Sequence, residues 1–343
     1  MRQLLRSLVA LVAGLALGSA VAACAGESPL HIWAVLAKGA FGSRNDVGMT
    51  LFYSTPLIFT GLSVAMAFHA GLFNIGAEGQ LTMGALAAAA VGAVLPGVPA
   101  FVAPWLAGGV AFLGGAVWGA VPGWLRARRG SHEVITTMMF NFIAAGISSY
   151  VALHPLANPD SQNPETRPIG PGYQLAQWAV FGGAPLGWAL PLALLAAGGC
   201  WLYLWRTAAG YELRVVGQSE AAAGVAGISP ARVRITALTL AGGLAGLVGV
   251  VEVLGNSGRF KPGFSPQYGA MGIAVALLGK NHPAGVVAAA LLFGALHKGA
   301  ADLDMETEHV TRDMALILQA LVILSVCADG LWGRIGRGRV NPG

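Results

Sequence analysis

Charge is what this chain lacks most. Of its 343 residues only 10% are Asp, Glu, Lys or Arg, against about 25% in soluble domains. A soluble core of this size needs a charged shell, and these residues cannot supply one. A bilayer tolerates 55% hydrophobic residues, because lipid replaces the missing polar surface. Cysteine is scarce too. Cys24, Cys200 and Cys327 lie far apart, in or beside apolar runs, without the spacing of a zinc site or a disulfide framework. Enzyme signatures are also missing. The nearest approach to a phosphate-binding GxxxxGK[ST] loop, Gly272 to Gly279-Lys280-Asn281, has the wrong spacing and no hydroxyl residue for magnesium. HExxH, GxSxG and paired CxxC motifs do not occur. The chain is therefore expected to carry no catalytic residue, no metal ligand and no bound cofactor.

Long apolar runs take the place of those signals. They cover Leu4–Ala23, Met49–His69, Leu81–Leu95, Ala100–Leu125, Val134–Leu153, Pro185–Trp205, Ile235–Leu254, Tyr268–Gly279, Ala284–Ala300 and Met314–Cys327. About twenty apolar residues cross a bilayer, so Leu81–Leu95 and Tyr268–Gly279 are short and read as re-entrant or discontinuous. The expectation is an all-α, polytopic transmembrane bundle of eight to ten spans. It forms one domain over residues 1–343, with the spans within 4–330. Val21-Ala22-Ala23-Cys24 resembles a lipoprotein cleavage box, so Leu4–Ala23 reads as a retained span or as a cleaved signal.

With the N-terminus placed in the cytoplasm, thirteen of the 20 basic residues fall inside, among them Arg126, Arg128, Arg129, Arg206, Arg214, Arg232, Arg234 and Lys280. That bias follows the positive-inside tendency and puts both termini in the cytoplasm. Two connections are long. Residues 154–183, rich in Pro, Asn and Gly, are expected outside, and residues 206–234 are expected as a polar cytoplasmic loop. Within the second, Gln218–Ile228 reads as a short helix that Ser229-Pro230 ends or follows. Gly115, Gly119 and Gly123 share one helix face, as do Gly242 and Gly246, and such faces let backbones approach closely.

Polar groups inside apolar sequence are the candidates for function. A charge at bilayer depth costs about 2.5–3.5 kcal/mol on insertion scales, so it usually faces a cavity or a partner. Glu78 and Glu252 are the clearest cases, joined by the amides Asn74, Gln80 and Asn141. Glu133, beside Arg128 and Arg129, reads as an interfacial ion pair. The stretch Gly71–Gln80 (GLFNIGAEGQ) puts three of these groups among three glycines, which weaken a regular helix. It reads either as a broken helix lining a path or as a tight polar turn with Glu78 near an N-cap.

Pro56–Gln80 (PLIFTGLSVAMAFHAGLFNIGAEGQ), Glu133–Asn141 (EVITTMMFN), Gly224–Ile228 (GVAGI), Ala241–Gly255 (AGGLAGLVGVVEVLG) and Gly272–Gly285 (GIAVALLGKNHPAG) occur in one order. Together they resemble the binding-protein-dependent ABC permeases of the branched-chain amino acid, ribose and nucleoside class, and within it the nucleoside branch. The resemblance covers most of Thr50–Leu296. It is weak after Ala300 and in residues 154–183. It implies translocation of nucleosides or related purine and pyrimidine compounds across a bacterial inner membrane. It also implies a second permease subunit, homologous or identical, two cytoplasmic ATPase subunits that use ATP and Mg, and an extracytoplasmic substrate-binding lipoprotein. No nucleic acid is implied. The ATPase-coupling element maps to Val216–Pro230, with Val216, Gly217, Glu220, Ala221, Gly224, Gly227 and Ile228 as its residues. Asn74, Glu78, Gln80, Asn141 and Glu252 map to the substrate path or the helix break. Whether Glu78 touches substrate or braces the break stays open. A simple sugar or branched-chain amino acid permease of the same class is the alternative, followed by an ion-coupled secondary transporter using Glu78 and Glu252, and then by a polytopic membrane enzyme.

Overall fold

The computed structural model describes residues 26–307 continuously and parts of 12–24 and 313–324. The expected spans Leu4–Ala23 and Met314–Cys327 fall largely outside the described residues. In chain order the helices are α1 (Pro29–Phe41), α2 (Arg44–His69), α3 (Ala77–Val94), α4 (Ala103–Arg129), α5 (Glu133–Leu153), α6 (Ala189–Arg206), α7 (Ala208–Gln218), α8 (Glu220–Val225), α9 (Pro230–Gly246), a π-helix (Val250–Ser257), α10 (Tyr268–Leu278) and α11 (Pro283–Gly299). Among the described residues seven segments are long and apolar enough to cross a membrane: α2 to α6, Pro230–Ser257 and Pro283–Asp302. Tyr268–Leu278 is a shorter apolar helix.

Helix α2 is the central post, with 83% of its apolar window buried. Its hydroxyls are turned inward onto its own backbone: Ser54 Oγ donates to the Thr50 carbonyl at 2.7 Å and Thr60 Oγ1 to the Pro56 carbonyl at 3.1 Å. Ser54 and Thr60 are thereby satisfied within α2, whereas Thr50 Oγ1 donates to the Ala40 carbonyl of α1 at 2.9 Å. The two glycine stripes read from the sequence meet each other. A Cβ on Gly115 would land on the Gly242 carbonyl, and one on Gly246 on the Ala111 carbonyl, so α4 and α9 touch backbone to backbone. Helices α5 and α6 lie at the rim, only 17% and 28% buried. Their large apolar side chains, such as Phe142 and Leu195, face outward.

Several boundaries move. Helix α3 begins at Ala77, not Leu81, so Glu78 and Gln80 join its first turn and its 18 residues are of spanning length. Within residues 206–234, α8 falls inside the short helix expected at Gln218–Ile228, and a second helix, α7, precedes it. Ser219 and Ser229 each accept a backbone N–H and cap α8 and α9, with Pro230 in the first turn of α9. Glu133 pairs with Arg126, at 3.2 Å, rather than with Arg128 or Arg129. Gly130 reverses the chain in the left-handed region, which lays the start of α5 beside the last turn of α4. The 13-residue α1, too short to register as a span, packs on α11.

Residues 154–183 fold back onto the molecule. Tyr173 is fully buried and donates to the Leu95 carbonyl at 3.0 Å. Thr166 and Phe260 exchange two bonds of 3.0 Å, and Leu175 N–H donates to the Leu254 carbonyl at 2.9 Å. This connection therefore packs against the segment that follows the π-helix.

Candidate functional site

Between His69 and Ala77 the helix is broken, and each of the three glycines of Gly71–Gln80 has its own reason to be there. Gly71 sits at φ 70°, and its Cβ position lies 3.2 Å from Gly217 of α7. A Cβ on Gly76 or Gly79 would meet α5 at Thr137 or Asn141, each at 2.9 Å. The break is thus pressed between two neighbouring helices rather than merely loosened.

Asn74 and Gln80, both buried, exchange two amide hydrogen bonds. Asn74 Nδ2 donates to Gln80 Oε1 at 2.8 Å, and Gln80 Nε2 donates to Asn74 Oδ1 at 3.1 Å. Asn74 also accepts from Gly76 N–H and donates to Ser63 Oγ. From α5, Asn141 Oδ1 accepts from Gly79 N–H at 2.8 Å while its Nδ2 donates to the Ile75 carbonyl at 3.0 Å. All three amides are thus bonded to the break, Asn74 and Gln80 through each other and Asn141 through the backbone.

The carboxylates are placed differently. Glu78 Oε2 accepts from Gly269 N–H at 2.8 Å, and the Ser265 side chain also hydrogen-bonds this carboxylate. Glu78 therefore sits between two helix N-termini, its own and that of α10, where the helix dipoles favour a negative charge. The other end of α10 reaches His69, whose Nε2 lies 3.0 Å from the Asn281 carbonyl. Eleven residues of helix rise about 16 Å, roughly half of a bilayer core of about 30 Å. Glu78 is thus set well inside the bundle at the tip of a half-length helix. Glu252, on the π-helix, accepts from Tyr268 OH at 3.0 Å and from Asn256 Nδ2 at 3.1 Å. Tyr268 and Gly269 are consecutive, so the start of α10 joins the two carboxylates.

Glu252 and Asn256 also line a cavity of about 580 Å³ together with Ser257, Arg259, Lys261 and Phe264. Arg259 pairs with Glu165 of the folded connection at 2.6 Å. Although burial pushes the Glu165 carboxyl up, hydrogen bonds from Asn158 and Ser161 and the Arg259 charge hold it below the usual carboxylate range. Asn256, Tyr268 and Ser265 were not singled out from the sequence. Asn256 lies one turn beyond Glu252 at the end of an apolar run, which was the available signal. Tyr268 and Ser265 carried none.

At the opposite end Trp205 lies between His69 and His282, with centroids 5.4 and 5.1 Å away, and Arg214 stands over its ring at 5.9 Å. Of the residues expected to couple to an ATPase, Val216 is buried, and a Cβ on Gly217 would strike the His69 carbonyl. These two pack against the break. Glu220, Ala221, Gly224 and Gly227 are exposed, Ile228 is half-buried, and Glu220 pairs with Arg234. Val225, at 93% exposed, is an apolar tip not singled out before. Among the described residues, no group of three or more His, Cys, Asp or Glu could hold a metal ion.

Residues 47–327 match the model of the family described as branched-chain amino acid transport system / permease component. The guanosine ABC transporter permease protein NupP of Bacillus subtilis is 38% identical, over 95% of this chain and 93% of its own length. The glucose ABC transporter permease protein TsgB13 of Haloferax volcanii is 33% identical over 94% and 87%, respectively. The nucleoside ABC transporter permease protein NupB of Lactococcus lactis is 33% identical over 95% and 91%. No solved structure matches this chain.

Proposed function

The chain belongs to the branched-chain amino acid transport system / permease component family and is a multi-pass ABC transporter permease, and on that premise we propose that it carries nucleosides or related purine and pyrimidine compounds inward across the bacterial inner membrane. The observation that carries the substrate class is the 38% identity with a guanosine permease along nearly the whole chain. The geometry supplies the means. A broken span sets Glu78 at depth, and a polar cavity opens beside Glu252.

In this reading two ATPase subunits in the cytoplasm consume ATP and Mg, a second permease completes the pore, and an external lipoprotein delivers substrate. Both termini are cytoplasmic. The ATPase seats on α8, whose exposed face carries Glu220, Ala221, Gly224 and Val225. Its movement reaches the break through α7, because Gly217 lies against Gly71 and so α7 cannot shift without pressing on the break. Asn74, Gln80 and Asn141 keep the break in one piece as it moves. Glu78 braces the tip of α10, and Glu252 faces the path.

Vesicles holding the assembled importer should take up guanosine when ATP is enclosed with the ATPase, and take up nothing on a proton gradient alone. Proton-driven uptake without the ATPase would replace this reading with secondary transport. The likeness to a glucose permease gives the second reading, which uptake of glucose in preference to guanosine would favour.

A further inference from the structure

The π-helix Val250–Ser257 raises a question that the broken span does not answer. π-Helical turns are rare and often occur at functional sites. This one brings Glu252 and Asn256 to a single cavity, which Gly71–Gln80 does not line. Its volume of about 580 Å³ falls within the roughly 300–1,000 Å³ of small-molecule sites. We propose that this cavity is an outer substrate site that receives a neutral nucleoside, read by Glu252, Asn256 and Lys261 and walled by Phe264. The assignment rests on the functional reading above and deepens it.

The donor and acceptor set narrows the ligand. Glu252 is 7% exposed, and each carboxylate oxygen already holds one protein donor, leaving acceptor capacity toward the cavity. Asn256 is exposed. One of its N–H groups is committed to Glu252, and its carbonyl and second N–H can face a ligand. Lys261 is exposed and lines the same space, as does Arg259. With Arg259 paired to Glu165, the Glu252 carboxylate disfavours an anion and the Lys261 ammonium disfavours a cation, by like-charge repulsion. A neutral molecule rich in both donors and acceptors, such as a ribose diol joined to a base, meets both sides. The half-buried ring of Phe264 offers an apolar face for the base. The connection 154–183 closes one flank through Arg259–Glu165 and through the 3.0 Å bond from Gln177 Nε2 to the Gly255 carbonyl.

The test uses the assembled importer in vesicles, with guanosine as probe and glucose and leucine as comparison ligands. Asn256→Ala, at an exposed position, should lower guanosine import about tenfold at saturating binding protein while ATPase stimulation by that protein stays at the wild-type level. In a chain whose Cys24, Cys200 and Cys327 are replaced by alanine, Asn256→Cys should react with an impermeant maleimide from outside. Guanosine should slow that reaction, and leucine and glucose should not. Unchanged import in Asn256→Ala, or labelling that guanosine leaves unaltered, overturns the site. Protection by leucine or glucose instead overturns the ligand class. If the wild type imports no nucleoside, the functional reading falls and this assignment falls with it. Import by the wild type with no response in either Asn256 variant overturns this assignment alone.

Discussion

Two polar clusters lie in the membrane part of this molecule, and they are built to opposite rules. Around the break, Asn74 and Gln80 bond each other and Asn141 bonds the backbone on either side of Gly76. Around the start of α10, Glu252 holds one donor on each oxygen and borders open space, while Glu78 is bonded by Gly269 N–H and the Ser265 side chain. Amides bonded to each other and to the backbone fix geometry because each bond ties two parts of the break together. A carboxylate with lone pairs to spare beside a cavity can exchange partners with a passing solute. On the proposed reading, polar residues at bilayer depth divide into those that hold the path and those that meet what moves along it.

The largest expected effect separates these roles by stability. Asn141→Ala leaves the Gly79 N–H and the Ile75 carbonyl unpaired, at about 1–3 kcal/mol for each orphaned group. The variant should lose roughly 2–6 kcal/mol, visible as a large drop in the thermal midpoint of the purified permease. Glu252→Gln comes next. It keeps the shape and most of the hydrogen bonding, so the thermal midpoint should move little while guanosine import falls about tenfold, equivalent to about 1.4 kcal/mol. Glu78→Gln should show an intermediate pattern, losing about 1 kcal/mol from two helix N-termini together with a several-fold loss of import. A fall in import without any loss of stability would move Glu78 to the substrate-contacting group.

Outside the membrane the effects should be smaller and can be read separately. Val225→Asp touches no core residue, so folding should hold while stimulation of the ATPase by the permease drops. Normal coupling in that variant would remove α8 as the docking element. Acid should loosen the 154–183 connection. Glu165 has a lowered folded pKa, so its contribution is complete above the unfolded value of about 4.3 and is lost as pH falls through the folded value. Protease resistance of this connection should therefore persist at pH 5 and fade only in more acidic solution, by well under one kcal/mol given the partial exposure of Arg259.

The bundle was largely legible because lipid-spanning runs are long and the glycine stripes at 115, 119, 123 and at 242, 246 repeat every four residues. That these two stripes face each other was not legible, since spacing names a face but not its partner. The polar set was legible one residue at a time for the same reason: a charge or amide in an apolar run stands out. How the set divides was not, because Asn74 finds Gln80 six residues away while Asn141 comes from another helix. In residues 206–234 the short helix near Gly224 was legible, but the helix Ala208–Gln218 before it was not, because its polar surface reads as a connector. The π-helix has no sequence signature, so the cavity that it opens could only be seen in three dimensions.

The division between holding and meeting is tested most directly by measuring guanosine import per folded importer, side by side with thermal midpoint, in Asn141→Ala and Glu252→Gln. The account predicts that Asn141→Ala loses stability first and that its surviving folded molecules transport nearly normally, while Glu252→Gln stays folded and transports poorly. A stable Asn141→Ala that cannot transport, or a Glu252→Gln that transports at the wild-type rate, would contradict it.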